Sequence, residues 1–171
     1  MNKINCFISY NTTGTGEESL AELRASQLFN RIYLMGQEQG QEVPEGCEFI
    51  AGDGKFSTRT IRKIAELSRG SEFSMLITRE SRIGFGMLAL ERFTELASGT
   101  GAGMLYSDYL DRIDGKLSPH PVIDYQMGSL RDDFEFGPVL FFNSRALAKA
   151  AESIGEDLEY AGLYQLRLKL S

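Results

Sequence analysis

At 171 residues, 42% hydrophobic and 25% charged, the chain has the composition of one ordinary globular domain, able to bury about 70% of its unfolded surface. A net charge of −6 argues against a nucleic-acid partner, because such binders need a basic surface to displace counterions. Cys6 and Cys47 are too few for a disulfide framework or a zinc site, so free thiols in a reducing compartment are expected. The start, "MNKINCFISYN", lacks the apolar core of a signal peptide, and no segment approaches the roughly 18 apolar residues of a membrane span. A cytoplasmic location follows as the expectation.

The elements read in order. "INCFISY" (4–10) is a strand, followed by the Gly/Thr-rich loop "NTTGTG" and a helix from about Glu17 to Phe29 with Leu20, Leu23 and Leu28 on one side. "RIYLM" (31–35) is a second strand, and "CEFIAG" a third. "STRTIRKIAELSRG" opens on Ser57 and Thr58, places Ile61, Ile64, Ala65 and Leu67 at helical spacing, and stops at Gly70. "EFSMLIT" (72–78) is the fourth strand, "MLALERFTELASG" a helix closing at Gly99, and "GAGMLYSD" the fifth strand. The alternation then breaks: "DGKLSPHPVIDYQ" and "EFGPVLFF" read as antiparallel strands, and "NSRALAKAAESIG" as a capped helix from Ser144.

Strands alternating with helices call for an α/β fold, with a mostly parallel sheet covered on both faces and antiparallel strands in the second half. Ligands of such sheets bind beyond the carboxyl ends of the strands. Tyr10 and Asn11, Asp53, Thr78-Arg79-Glu80 and Asp108 are therefore the residues to inspect.

Several chemistries fail on the residues present. There is no "GxxxxGK[ST]", and "GTG" at 14–16 meets Ser19 where "GxGxxG" needs its last glycine. "SDYLDRIDGKL" is not a calcium loop: counted from Asp108, the sixth position is Ile113 and the twelfth is Pro119. Asp111 and Asp114 read as hairpin residues, with Gly115 supplying a tight reversal. The single histidine, His120, lies between Pro119 and Pro121 with no nucleophile–base pair in the adjacent sequence. Zinc hydrolysis lacks ligands. Carboxylates, arginines, backbone amides or a hard metal ion remain.

The strand-end residues carry a resemblance. "CFISYN", "FIAGDGKFSTRTIRKI", "FSMLITRESRIGFGMLALERF" and "MLYSDYLDRIDGKL" resemble, in order and spacing, the bacterial family 2 glycosyltransferases. These have the GT-A fold and use nucleotide-diphospho-sugars. The likeness spans most of residues 1–120 and continues more weakly through "FGPVLFFNSRAL".

It implies a single glycosyltransferase-like domain over 1–171, with a nucleotide-binding half at 1–110 and an acceptor-side half at 111–171. It implies transfer of a sugar to an unidentified acceptor in polysaccharide or glycoconjugate synthesis. Tyr10 would stack on the base with Asn11 beside it, and Asp53 would hydrogen-bond the base or ribose. Taken singly, Tyr10 reads first as a core-edge aromatic and Asp53 as a turn aspartate; as an ordered pair after strands one and three they read as functional. Arg79, Glu80 and Asp108 would approach the diphosphate-sugar.

The departures are specific. Family members end strand four with an Asp-x-Asp pair that holds Mg²⁺ or Mn²⁺, whereas here the stretch is Thr78-Arg79-Glu80, leaving Glu80 as the metal carboxylate. Gly52 stands where "DDGS" opens with an acid. In "LEYAGLYQLRLKLS", which resembles the "ED-x-x-L-x-x-R" helix, Ala161 and Leu163 stand where acids are expected, so the catalytic base is unassigned. The chain also ends short of the family's usual acceptor-side region, as a domain cut from a longer protein would. A non-catalytic, degenerate GT-A domain that binds a nucleotide or a protein partner is the alternative.

Overall fold

The computed structural model describes residues 3–9, 15–36, 43–51, 56–126, 128 and 134–171. Its elements are β1 (Ile4–Ser9), α1 (Thr15–Ala25), β2 (Phe29–Gly36), β3 (Cys47–Ala51), α2 (Thr58–Ser68), β4 (Phe73–Ile77), α3 (Ala89–Thr100), β5 (Met104–Leu105), β6 (Tyr109–Ile113), β7 (Lys116–His120), β8 (Val139–Asn143), α4 (Ser144–Glu152) and α5 (Gly162–Leu170). The central sheet runs β3-β2-β1-β4-β8-β5, and β6-β7 form a separate hairpin. β1, β2, β3 and β4 are mutually parallel. β8 is antiparallel to both β4 and β5.

Alternation along the strands feeds two cores. Ile4, Cys6 and Ile8 of β1 join Leu20 and Leu23 of α1 and Leu90 and Ala97 of α3 on one face. Phe7 points the other way, into Ile61 and Ile64 of α2, Leu147 of α4 and Leu166 of α5. Asn5 shares the buried position of its neighbours but is satisfied: its amide donates to Leu67 O at 2.9 Å, and its Oδ1 accepts from Asn30 at 3.0 Å.

Local chemistry fixes the helix ends. Ser57 caps α2, its hydroxyl accepting from Thr60 N. Asn143 caps α4, accepting from the amides of Arg145 and Ala146. Several boundaries differ from the sequence reading. α1 ends at Ala25, because Phe29 is already paired with Ile4. α3 runs through Gly99 and closes at Gly101, which takes the left-handed conformation at φ 68°. β5 pairs only with β8, over two residues, instead of extending the parallel run.

Topology places the ligand side. From β1 the chain adds β2 and β3 in one direction, and β4 then lies on the other side of β1. The switch point falls between β1 and β4, and the crevice beyond their carboxyl ends is where such sheets receive ligands. Because β8 is antiparallel to β4, the start of β8 borders the same edge.

Candidate functional site

β4 is buried along its whole length, and at Thr78 the chain becomes half-buried as it leaves the sheet. Thr78 stays fastened there: its amide and its hydroxyl both donate to Pro138 O, at 2.9 and 3.2 Å. Arg79 is thereby aimed at the hairpin. Its Nη2 donates to Tyr109 Oη at 2.7 Å and lies 3.6 Å from Glu135 Oε1, while its Nη1 lies 3.6 Å from Asp111 Oδ1.

The hairpin brings the rest together by register. Asp114 and Gly115 both have positive φ (49° and 77°), the signature of a two-residue primed turn. That turn pairs Ile113 with Lys116, Asp111 with Ser118 and Tyr109 with His120. Side chains two apart share a face, so Tyr109, Asp111 and His120 project together. The rings of Tyr109 and His120 stack at 4.4 Å and 15°. His120 Nδ1 lies 3.0 Å from Asp111 Oδ2. Since a carboxylate only accepts, Nδ1 carries the proton.

Gly137 closes the back of the cluster at φ 76°, where a Cβ would lie 3.2 Å from both Ser107 O and the Tyr109 ring. Its amide donates to Glu135 Oε1 at 2.8 Å. Two acids thus face one arginine, at separations and exposures where each pair adds little stability but together they hold Arg79 in one orientation.

The other residues singled out in the sequence are distributed around this cluster. Glu80 is exposed and adjoins Arg79 in sequence. Asp108 accepts from Val122 N at 2.8 Å, tying the base of the hairpin to the segment that leaves it. Arg82 turns away and pairs with Glu18 of α1 at 2.5 Å, so the two arginines beside Glu80 serve different elements. Tyr10, Asn11 and Asp53 lie outside the described residues.

A hard divalent ion needs several converging oxygens. Among the described residues no group of three His, Cys, Asp or Glu side chains is placed to hold a metal, and the carboxylates nearest Arg79 are turned toward its guanidinium. The described donors therefore do not fit an ion of the kind the resemblance implies.

Behind the cluster, α5 sets Arg167 against Phe136, its Cζ 4.6 Å from the ring centre. Its Nε is buried without a hydrogen-bond partner among the described residues. Burial lowers the pKa of this guanidinium to about 10, partly offset by the charge of Glu135. Tyr106, whose hydroxyl donates to Ile123 O at 2.9 Å, has its pKa raised by burial. Open basins at Arg24–Arg31 and at Arg69–Arg145 lie at the amino ends of the parallel strands, away from this edge.

The sequence reading named Arg79, Glu80 and Asp108, did not single out Tyr109 or Glu135, discounted His120 on its neighbours in sequence, and assigned Asp111 only to the turn. A usable signal was present. Counting outward from "DG" as a two-residue loop pairs Tyr109 with His120 and sets Asp111 diagonal to it.

No family profile matches the chain, and no curated protein matches it by sequence. Solved structures do match. A 4-diphosphocytidyl-2C-methyl-D-erythritol synthase from Anaerococcus prevotii superposes with TM-score 0.55 at 10% identity, covering 96% of this chain and 81% of that one. The bifunctional IspDF from Campylobacter jejuni gives TM-score 0.53 at 15% identity, covering 98% of this chain. The match takes in 47% of the bifunctional protein, so this chain spans about half its length. At these identities the likeness is one of fold, and the fold is of the nucleotide-diphospho-sugar transferase-like kind expected from the strand-end residues.

Proposed function

We propose that the chain is a glycosyltransferase-type domain that takes a nucleotide-diphospho-sugar as donor and passes its sugar to an acceptor. The observation that carries this reading is a polar cluster built beyond the carboxyl end of β4, a strand that borders the switch point of the β3-β2-β1-β4-β8-β5 sheet, in a fold shared with a synthase whose name includes a diphosphocytidyl group. Tyr10, Asn11 and Asp53 then serve the nucleoside, Arg79 faces the diphosphate, and residues 111–171 form the acceptor side. On this reading Arg79 neutralises the diphosphate directly through paired hydrogen bonds, in place of the Mg²⁺ or Mn²⁺ that Glu80 was expected to hold.

Calorimetry with UDP, GDP, CDP and TDP tests it. Binding of one of them at millimolar concentration or better is expected, weakened by about 1–3 kcal/mol in Asp53→Ala, the usual result of leaving a polar partner unpaired. The affinity in EDTA should stay close to that in Mn²⁺. A strong Mn²⁺ dependence lost in Glu80→Ala, with Arg79→Ala indifferent, would restore the carboxylate–metal site. Absence of all nucleotide binding would favour a non-catalytic, partner-binding domain.

The structural neighbours favour one other reading, nucleotidyl transfer. Products separate the two: glycosyl transfer releases a nucleoside diphosphate, whereas nucleotidyl transfer from a nucleoside triphosphate releases pyrophosphate.

A further inference from the structure

His120 is the chain's single histidine, and it is held more tightly than an ornamental surface ring would be. Pro119 and Pro121 on either side restrict its backbone to an extended conformation. One ring face stacks on Tyr109, and Tyr109 is itself fixed by the hydrogen bond from Arg79 and by close packing against Gly137. Asp111 accepts from Nδ1–H at 3.0 Å, which leaves the lone pair on Nε2. Among the described residues Nε2 has no hydrogen-bond partner, and the side chain is 44% exposed, so a ligand can reach it. The groups facing the ring are Asp111 and Tyr109 from β6, Arg79 from the end of β4 and, through Arg79, Glu135 ahead of β8.

We propose that His120, oriented by Asp111, is the general base that activates a hydroxyl acceptor at this site. The proposal rests on the donor chemistry argued above. In the step, the acceptor oxygen forms a bond to the anomeric carbon as that carbon's bond to the diphosphate oxygen breaks. The breaking bond's electron pair leaves with the nucleoside diphosphate, and the acceptor's proton moves to His120 Nε2. Asp111 stabilises the imidazolium so formed and holds the ring in the tautomer that can accept the proton; it acts as a positioning residue. Arg79 lies 3.6 Å from the other oxygen of the same carboxylate, an ion pair that couples the base to the edge where the diphosphate is expected.

The arrangement also selects among acceptor classes. A phosphate acceptor is already an anion at neutral pH and needs no base. A hydroxyl group is not, and benefits by about 10²–10⁴-fold from one positioned within hydrogen-bond reach. The dyad therefore points to a sugar or polyol hydroxyl.

The test uses the untagged chain, His120→Gln and Asp111→Asn. Long-range ¹H–¹⁵N spectra resolve one imidazole, and the Nδ1–H tautomer is expected in the wild type and loses its dominance in Asp111→Asn. Nucleoside diphosphate release is then followed from UDP-glucose, UDP-N-acetylglucosamine and GDP-mannose, with water and with glycerol as acceptors, between pH 5 and 9. His120→Gln should lower kcat by about 100-fold or more and abolish the acidic limb of its pH profile, with nucleoside diphosphate binding unchanged within about twofold. Failure of all nucleotides to bind removes the donor reading and the base with it. Retained binding with an unaltered rate and pH limb in His120→Gln, an Nε2–H tautomer in the wild type, or no release by the wild type with either acceptor overturns the base assignment and leaves the donor reading standing.

Discussion

β1 and the β6–β7 hairpin solve the problem of placing a strand by opposite means. All six residues of β1 are buried, and hydrogen bonds on both edges join it to β2 and β4. No residue of either hairpin strand is fully buried, and the hairpin shares no ladder with the main sheet. β1 is positioned by apolar area, which is non-directional and large. The hairpin is positioned by turn geometry, ring stacking and the contacts of Arg79, which are directional and individually small. Rigidity needed by a scaffold sits in the first region, and groups that must meet a ligand sit in the second.

The largest expected effect breaks the first region. Phe141 is fully buried in β8, on the same sheet, with ring centres of Phe73 and Phe93 at 5.3 and 5.4 Å. Phe141→Ala should lower stability by about 3–5 kcal/mol in urea denaturation, through lost transfer energy and the cavity left behind. A loss below about 1 kcal/mol would mean that the buried sheet is not where stability resides.

Gly162→Ala probes how α5 is seated. A Cβ there would lie 2.5 Å from Phe56 O, Ser57 C and Thr58 N, all backbone atoms that cannot rotate aside. The same contact is fastened by Leu163 N to Phe56 O and by Thr58 N to Leu158 O. Overpacking of this kind should reduce stability by about 2–3 kcal/mol, read from the urea midpoint. A neutral outcome would show that α5 can lift off α2 without loss.

What the sequence disclosed follows the same division. The order of strands and helices and the two-faced core were legible because burial leaves a periodic record, as in Ile4, Cys6 and Ile8 against Phe7. Termini were less legible: Gly99 and Gly101 are equally plausible stops, and only the local conformation selects Gly101. The insertion of β8 between β4 and β5 leaves no local trace, since edge and centre strands of similar composition read alike. His120 was discounted because its neighbours in sequence are prolines, whereas its partners lie across the hairpin. Proximity in the chain says little about directional contacts made through register. Tyr10, Asn11 and Asp53 were singled out by their place at strand ends, and their nucleoside role came from the resemblance alone; they lie outside the described residues.

Gly115→Ala sharpens the contrast on the hairpin side. Nothing lies within 4 Å of a Cβ at this position, so its effect is purely conformational, the strain of an L-residue at φ 77°. A penalty of about 1–2 kcal/mol is expected. Because few contacts tie the hairpin to the core, hydrogen exchange should accelerate at the β6 and β7 amides while β1 amides keep their protection. Equal acceleration in β1 would make the hairpin part of the cooperative core and remove the distinction.

The smallest expected effect lies where the two regions meet. Arg167 is half-buried against Phe136, its Nε has no hydrogen-bond partner among the described residues, and burial lowers its pKa to about 10. Below pH 10 the folded chain carries this guanidinium charged in a poorly solvated position, and that penalty is fully present at neutral pH. Above about pH 10 the unfolded chain binds the proton more strongly than the folded one, so the penalty is relieved as pH rises. Arg167→Met keeps most of the packing and removes the charge, and should leave stability unchanged or raise it by up to about 1 kcal/mol at pH 7. The difference between wild type and variant, which cancels the titration of the shared tyrosines and lysines, should narrow as the pH passes 10. A loss above about 2 kcal/mol at pH 7 would instead show that the charge is paired in solution, with Glu135, whose charge acts on this guanidinium, as the candidate. In that case the acid would be shared between Arg79 and Arg167, and the hairpin would be wired to α5 through Glu135.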